Sequence, residues 1–186
     1  MKKYQIIYAD PPWKYNLWSD KATGRGVAEG HYEVMDLLDV ATIPINEIAD
    51  KDCVLFMWAT FPVIPMALKL IKAWGFQYKT VAFTWVKKNK KSDSWFWGMG
   101  SWTRANAEIC MIATRGAPHR KNKGVHSVID TPVREHSRKP DETRERILKL
   151  MGDLPRIELF ARHKTEGWDV WGNEVESDID FCKTIV

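Results

Sequence analysis

At 186 residues with 45% apolar side chains, the chain is long enough for one domain with a full core and too apolar for a disordered segment. No apolar run reaches the length of a membrane span, and Met1-Lys2-Lys3 leads straight into a strand-like run instead of a secretory leader, so a soluble, intracellular, cytoplasmic protein is expected. The net charge is only +4, but the lysines and arginines gather in a few stretches that also hold several of the 10 tryptophans, a pairing that points to nucleic acid.

The first element is Tyr4 to Tyr8, a β-branched and aromatic run that reads as a buried strand over 4–9. Pro11 and Pro12 follow Asp10 at once and forbid further pairing or a helix, so the strand must stop there. The stop sets a carboxylate (Asp10), a stiff carbonyl that lacks a competing N–H (Pro11) and an indole (Trp13) side by side. An exocyclic amine on a flat ring, such as that of adenine, would give one N–H to each oxygen while Trp13 stacks on the ring.

From Lys14 to Gly30 the glycine-bearing sequence reads as a lid over that strand end, with Tyr32 just beyond as a second wall for a flipped base. Residues 36–49 hold short helical turns, and 53–60 is a continuous apolar strand covered on both faces. Val63, Ala67, Leu70 and Trp74 recur at helical spacing up to a Gly75 cap, and 77–86 returns as a strand, which makes a βαβ unit and a parallel sheet.

Three irregular segments break the regular pattern, the first being the lid. The second runs from Lys87 through Trp95, Trp97, Trp102 and Arg104, cations followed by aromatics that suit phosphates and base stacking. After the strand 107–113 comes the third, 115–138, whose basic residues include Arg120 and Lys121. A helix then starts near Pro140 and ends before Gly152, the strand 156–161 carries a lone acid, Glu158, and a short strand follows within 162–174. One domain over 1–176 with a loose acidic tail over 177–186 is expected.

Cys53, Cys110 and Cys182 lack C-x-x-C spacing, and the histidines lack ligand spacing, so reduced core thiols and no metal site are expected. Strands alternating with helices describe an α/β sheet whose ligands gather at strand carboxyl ends. An acid such as Glu158 for ribose hydroxyls and a lysine such as Lys139 for a carboxylate match S-adenosyl-L-methionine. Each has a plainer alternative: Glu158 as half of a buried ion pair, Lys139 as a surface lysine beside a helix start.

Asp10-Pro11-Pro12-Trp13, Trp74-Gly75-Phe76, Trp85-Val86-Lys87, His136 to Glu142, Ile157 to Arg162 and Gly167 to Glu174 occur together and in order. In them the chain resembles the DPPW-type N(6)-adenine methyltransferases, the MT-A family, from Tyr4 to about Val175. The resemblance implies a Rossmann-like α/β fold, a mostly parallel sheet with helices on both faces, and the permuted order in which the catalytic motif Asp10, Pro11, Pro12, Trp13 precedes the cofactor motifs. It further implies S-adenosyl-L-methionine as cofactor, with Asp10 and Lys139 at its methionine end, Glu158, Arg162 and His163 at the ribose, and Asn173 and Glu174 at the adenosine end. DNA is the expected substrate, by analogy with compact relatives, and RNA is the alternative. An inactive nucleic-acid-binding subunit is the third reading, against which the intact tetrapeptide speaks. A homodimer or a partner subunit stays open.

Overall fold

A computed structural model describes residues 1–13, 37–100, 102–135 and 138–181. The expected lid, Tyr32, His136, Ser137 and Cys182 lie outside the described residues.

In chain order the elements are β1 (Tyr4–Ala9), α1 (Leu37–Thr42), α2 (Ile45–Ile48), β2 (Ala49–Ala59), a 3-10 turn (Phe61–Val63), α3 (Ile64–Ala73), β3 (Gln77–Trp85), β4 (Glu108–Arg115), β5 (Val128–Ile129), α4 (Glu142–Met151), β6 (Arg156–Leu159) and β7 (Asp169–Trp171). The seven strands form one sheet in the order β5-β3-β4-β2-β1-β6-β7. β1 pairs in parallel with β2 and with β6, β6 with β7, and β3 with β5. Only β4, among the described strands, runs antiparallel to its neighbours, lying between β2 and β3. The mostly parallel α/β reading therefore holds, with one reversed strand that the apolar run of β4 does not announce.

Both faces of the sheet are covered, which is why β1 and β2 read as continuous apolar runs. Ile7 and Ala9 of β1, with Leu55 and Met57 of β2, join a core beneath α1 to α3 that includes Ala67, Leu70 and Trp74. Ile6 and Tyr8, with Phe56 and Trp58, join the opposite core with Ile147 and Met151 of α4. The strand period of two thus assigns each side chain to a face, and Asp10 continues the Tyr8 series. From β1 the chain crosses to β2 on one side while β6 arrives on the other. The carboxyl end of β1 is therefore a topological switch point, where α/β sheets open a crevice.

Local chemistry explains the element ends. Gly75 (φ 80°) stops α3, and a side chain there would meet Asn46 at 2.8 Å. Lys139 precedes Pro140 and so is biased out of the helical region, which keeps it ahead of α4. Two differences from expectation lie at the sheet's margins. β5 is a two-residue strand inside what reads as loop, formed because Thr84 and Trp85 offer partners to Val128 and Ile129. The expected loose tail does not describe 177–181: the Asp178 N–H donates to the Val170 carbonyl at 2.9 Å, and Phe181 packs edge-on to Trp171 at 5.1 Å.

Candidate active site

The site begins where β1 stops. Asp10 stands at its carboxyl end with its side chain 30% exposed. Pro11 and Pro12 hold the turn, and the Trp13 N–H closes it by donating to the Pro11 carbonyl at 2.9 Å. That carbonyl is thus not without a donor, as the sequence suggests, but its second lone pair still accepts. Trp13 differs more from expectation. It is only 6% exposed, and its indole N–H donates to the Trp58 carbonyl at 3.0 Å, so it props the turn from below.

Lys139 reaches over from the segment before α4 and donates to Asp10 Oδ2 at 2.7 Å. It is 8% exposed and also faces Glu108 Oε2 at 3.3 Å, with its ammonium 5.7 Å from the Trp58 ring. Glu108 Oε1 in turn accepts from Lys87 at 2.6 Å. Four charges from β1, β4, the end of β3 and the start of α4 form one chain, Asp10–Lys139–Glu108–Lys87. Burial raises the Asp10 carboxyl above its ordinary value; Lys139 draws it back, while Glu108 and Glu158 push it further up. Burial alone would drive Lys139 towards neutrality, but Asp10 and Glu108 outweigh it and hold the ammonium charged. Burial likewise works against an ionised Glu108, and its two lysines overcome that and keep it below the usual carboxylate value.

Lys87 belongs to this chain and lies over the Trp85 ring at 5.1 Å, so it is not the free phosphate contact expected. Glu158 departs in the same way. Arg144 grips both of its oxygens, each at 2.7 Å, with the two side chains 9% and 11% exposed and the guanidinium over the Tyr8 ring at 5.6 Å. This is the bidentate fork of a core ion pair, the plainer alternative, and it takes one lone pair on each oxygen while anchoring the carboxylate to α4.

A second cluster sits at the ends of β6 and β7. Phe160 takes a left-handed turn (φ 60°), and the Ala161 N–H donates to the Trp171 carbonyl at 3.0 Å. The chains lie so close that a side chain at Gly172 would stand 2.2 Å from the Ala161 carbonyl oxygen. That contact sets Arg162 beside Glu174, with Nε–Oε1 at 3.0 Å, and leaves His163 and Asn173 exposed in the same two turns. β6 lies between β1 and β7, so across the sheet Arg162 and His163 stand one strand spacing, roughly 5 Å, from Asp10, and Asn173 and Glu174 two, roughly 10 Å.

The segment between β3 and β4 forms a tongue with a fixed root. The Asn106 amide donates to the Lys87 carbonyl and accepts from the Lys87 N–H, both at 2.9 Å. Arg104 donates to the Gly98 and Trp97 carbonyls at 2.9 and 3.0 Å, so it holds the tongue's shape instead of standing free. Trp95, Trp97, Met99 and Trp102 project from it, and Met99 and Trp102 are each 89% exposed. Arg120 and Lys121 are exposed but lie elsewhere: Lys121 is tied to the Leu150 carbonyl at the far end of α4, a ten-residue helix about 15 Å long whose start adjoins Lys139.

Glu108 and Arg144 carry much of this arrangement and escaped the sequence reading. Each left a signal. Glu108 heads an apolar strand and so needs a partner, and Arg144 lies on the inward stripe of α4 with Ile147 and Met151. Among the described residues, no group of three or more His, Cys, Asp or Glu is arranged to hold a metal ion, and no helix is long and apolar enough to cross a membrane.

A mostly parallel seven-stranded sheet with helices on both faces, bearing an acid–proline corner at the carboxyl end of a central strand, is a Rossmann-like methyltransferase fold. Residues 4–174 match the MT-A70 family model, and the chain belongs to that family. It is 34% identical over 190 residues to the type II methyltransferase M.MunI of a Mycoplasma species, covering 94% of this chain and 78% of the relative. It is 28% identical over 178 residues to the human N(6)-adenosine-methyltransferase catalytic subunit METTL3, covering 94% of this chain but 28% of that protein. A putative N(6)-adenosine-methyltransferase from Medicago truncatula is 29% identical over 177 residues, with 26% of its length covered.

Proposed function

We propose that this chain transfers the methyl group of S-adenosyl-L-methionine to the exocyclic amine of adenine in DNA. It is an adenine methyltransferase by family. The observation that carries the mechanism is the Asp10–Pro11 corner at the switch point, with Asp10 held by Lys139 at 2.7 Å.

The donor set suits the cofactor at both ends. Asp10 and Lys139 offer opposite charges for an amino-acid group, and Arg162, Asn173 and Glu174 offer donors and acceptors for a nucleoside one to two strands away. Glu158 is held at both oxygens by Arg144, and this set does not depend on it. When bound, the cofactor supplies an electrophilic methyl on a sulfonium.

Asp10 has one oxygen on Lys139 and, as a carboxylate, further lone pairs for an N–H of the target amine. The remaining lone pair of the Pro11 carbonyl takes the second N–H. Drawing on both N–H bonds favours the amine lone pair leaving conjugation with the ring, which is catalysis by positioning and electrostatics, with no covalent intermediate on the protein. The proton leaves after attack, because a methylated ammonium is strongly acidic, and Asp10 is the nearby acceptor. A paired adenine must first be flipped out of the duplex. The tongue, with Trp95, Trp97 and Trp102, provides aromatic faces for the strand it leaves.

The N(6)-adenosine relatives favour RNA as the second reading. Labelled cofactor with matched DNA and RNA oligonucleotides separates the two: label in DNA alone supports this proposal, and label in RNA alone replaces it. Asp10→Ala should lower transfer by about a thousandfold while cofactor binding stays measurable by calorimetry. Near-normal turnover in that variant would defeat the corner as the reacting site.

A further inference from the structure

Glu108 lies between two lysines, and no step of the transfer described above uses it. It is 14% exposed, a depth at which a carboxylate is kept only for a reason of charge. Its partner Lys139 is buried more deeply and touches Asp10 on its other side. With Asp10 as sole counter-ion, a buried ammonium would draw on that carboxylate alone and use up its acceptor strength. A second carboxylate behind the ammonium divides the attraction.

We infer that Glu108 is a positioning residue for methyl transfer: it holds Lys139 from behind, so that the ammonium fixes the Asp10 side chain without neutralising it as an acceptor. The inference rests on the transfer chemistry proposed above. Lys87 sets the strength of the hold, because it shares Glu108 through the other oxygen at 2.6 Å. Among the described residues, the groups facing Asp10 are Lys139 ahead of α4, Glu108 and Cys110 on β4, and Glu158 on β6, the last already bound to Arg144. Glu108 is among those that make Asp10 easier to protonate, and Lys139 acts against it.

Glu108→Gln removes a negative charge, leaves Lys139 dominant and makes Asp10 harder to protonate and poorer as an acceptor. The acid limb of the kcat profile should therefore move to lower pH, by about one unit, while the plateau kcat falls about tenfold. Cofactor dissociation constants should stay within about threefold, since Lys139 and Asp10 both remain. Lys87→Met frees Glu108 to act more strongly, and the same limb should move to higher pH. Glu108→Asp keeps the charge and should recover part of the lost kcat.

An acid limb that stays in place in Glu108→Gln, or a Glu108→Asp variant as damaged as the amide, reduces Glu108 to packing and overturns the inference. Should Glu108→Gln fail to fold, Lys87→Met decides: a limb that is unmoved or moves down overturns it. Asp10→Asn separates the two levels. If Asp10→Asn keeps turnover, the transfer reading falls and this inference with it; if it is inactive while the Glu108→Gln limb stays put, only the role of Glu108 is lost.

Discussion

Two buried acid–cation clusters lie on the same face of the sheet and are built in opposite ways. Arg144 and Glu158 close on each other as a pair, with two nitrogens on two oxygens and both side chains about a tenth exposed, and Asp141 adds a single contact to Arg144 at 3.2 Å. Asp10, Lys139, Glu108 and Lys87 form an open chain, in which each contact is a single point and its end, Asp10, is 30% exposed. A closed fork fixes both oxygens of its carboxylate against one partner and contributes to the folded state only as long as neither partner is removed. An open chain of compact ammonium groups keeps acceptor capacity at its exposed end, which is what an amine-binding corner needs.

The two clusters should respond to substitution in opposite ways. The largest effect belongs to the open end: Asp10→Ala, which loses about a thousandfold in transfer, should leave the urea midpoint close to that of the parent, because Glu108 remains as a counter-ion for Lys139 and water replaces the partly exposed carboxylate. The closed pair should behave in the reverse manner. Glu158→Ala leaves a buried guanidinium with only its single contact to Asp141 at 3.2 Å and should cost about 3 kcal/mol of stability in urea unfolding, with turnover of the remaining folded protein little changed. A selective rise in the cofactor dissociation constant in Glu158→Ala, without loss of stability, would restore the ribose role that the fork argues against.

Smaller effects sharpen the contrast between the corner and the surfaces around it. Trp102→Ala removes an 89% exposed indole and should weaken oligonucleotide binding about tenfold, with no shift in melting temperature. Arg120→Ala with Lys121→Ala should change binding less than about twofold, because those side chains lie at the far end of α4. An equal loss from both would mean that nucleic acid wraps the whole edge of the sheet.

Much of the corner was legible because it is local. Prolines after Asp10 end a strand wherever they occur, and Pro140 keeps Lys139 ahead of its helix. The resemblance carried by Asp10 to Trp13 and by Lys139, Arg162, Asn173 and Glu174 was legible for the same reason. Misread residues were those whose role depends on what lies opposite. Trp13 and Trp102 are both tryptophans in irregular sequence, yet one is 6% and the other 89% exposed.

Composition, the strand and helix runs and their stops follow from the sterics and periodicity of neighbouring residues, and these are written in the chain itself. The insertion of β4 between β2 and β3 is not, because a short apolar run pairs equally well in either direction until its neighbours are chosen. Nor is the choice of partner for each buried charge. Lys139 meets a carboxylate 129 positions away and Glu158 meets Arg144 14 positions away, and only the folded sheet brings those distances down to a hydrogen bond.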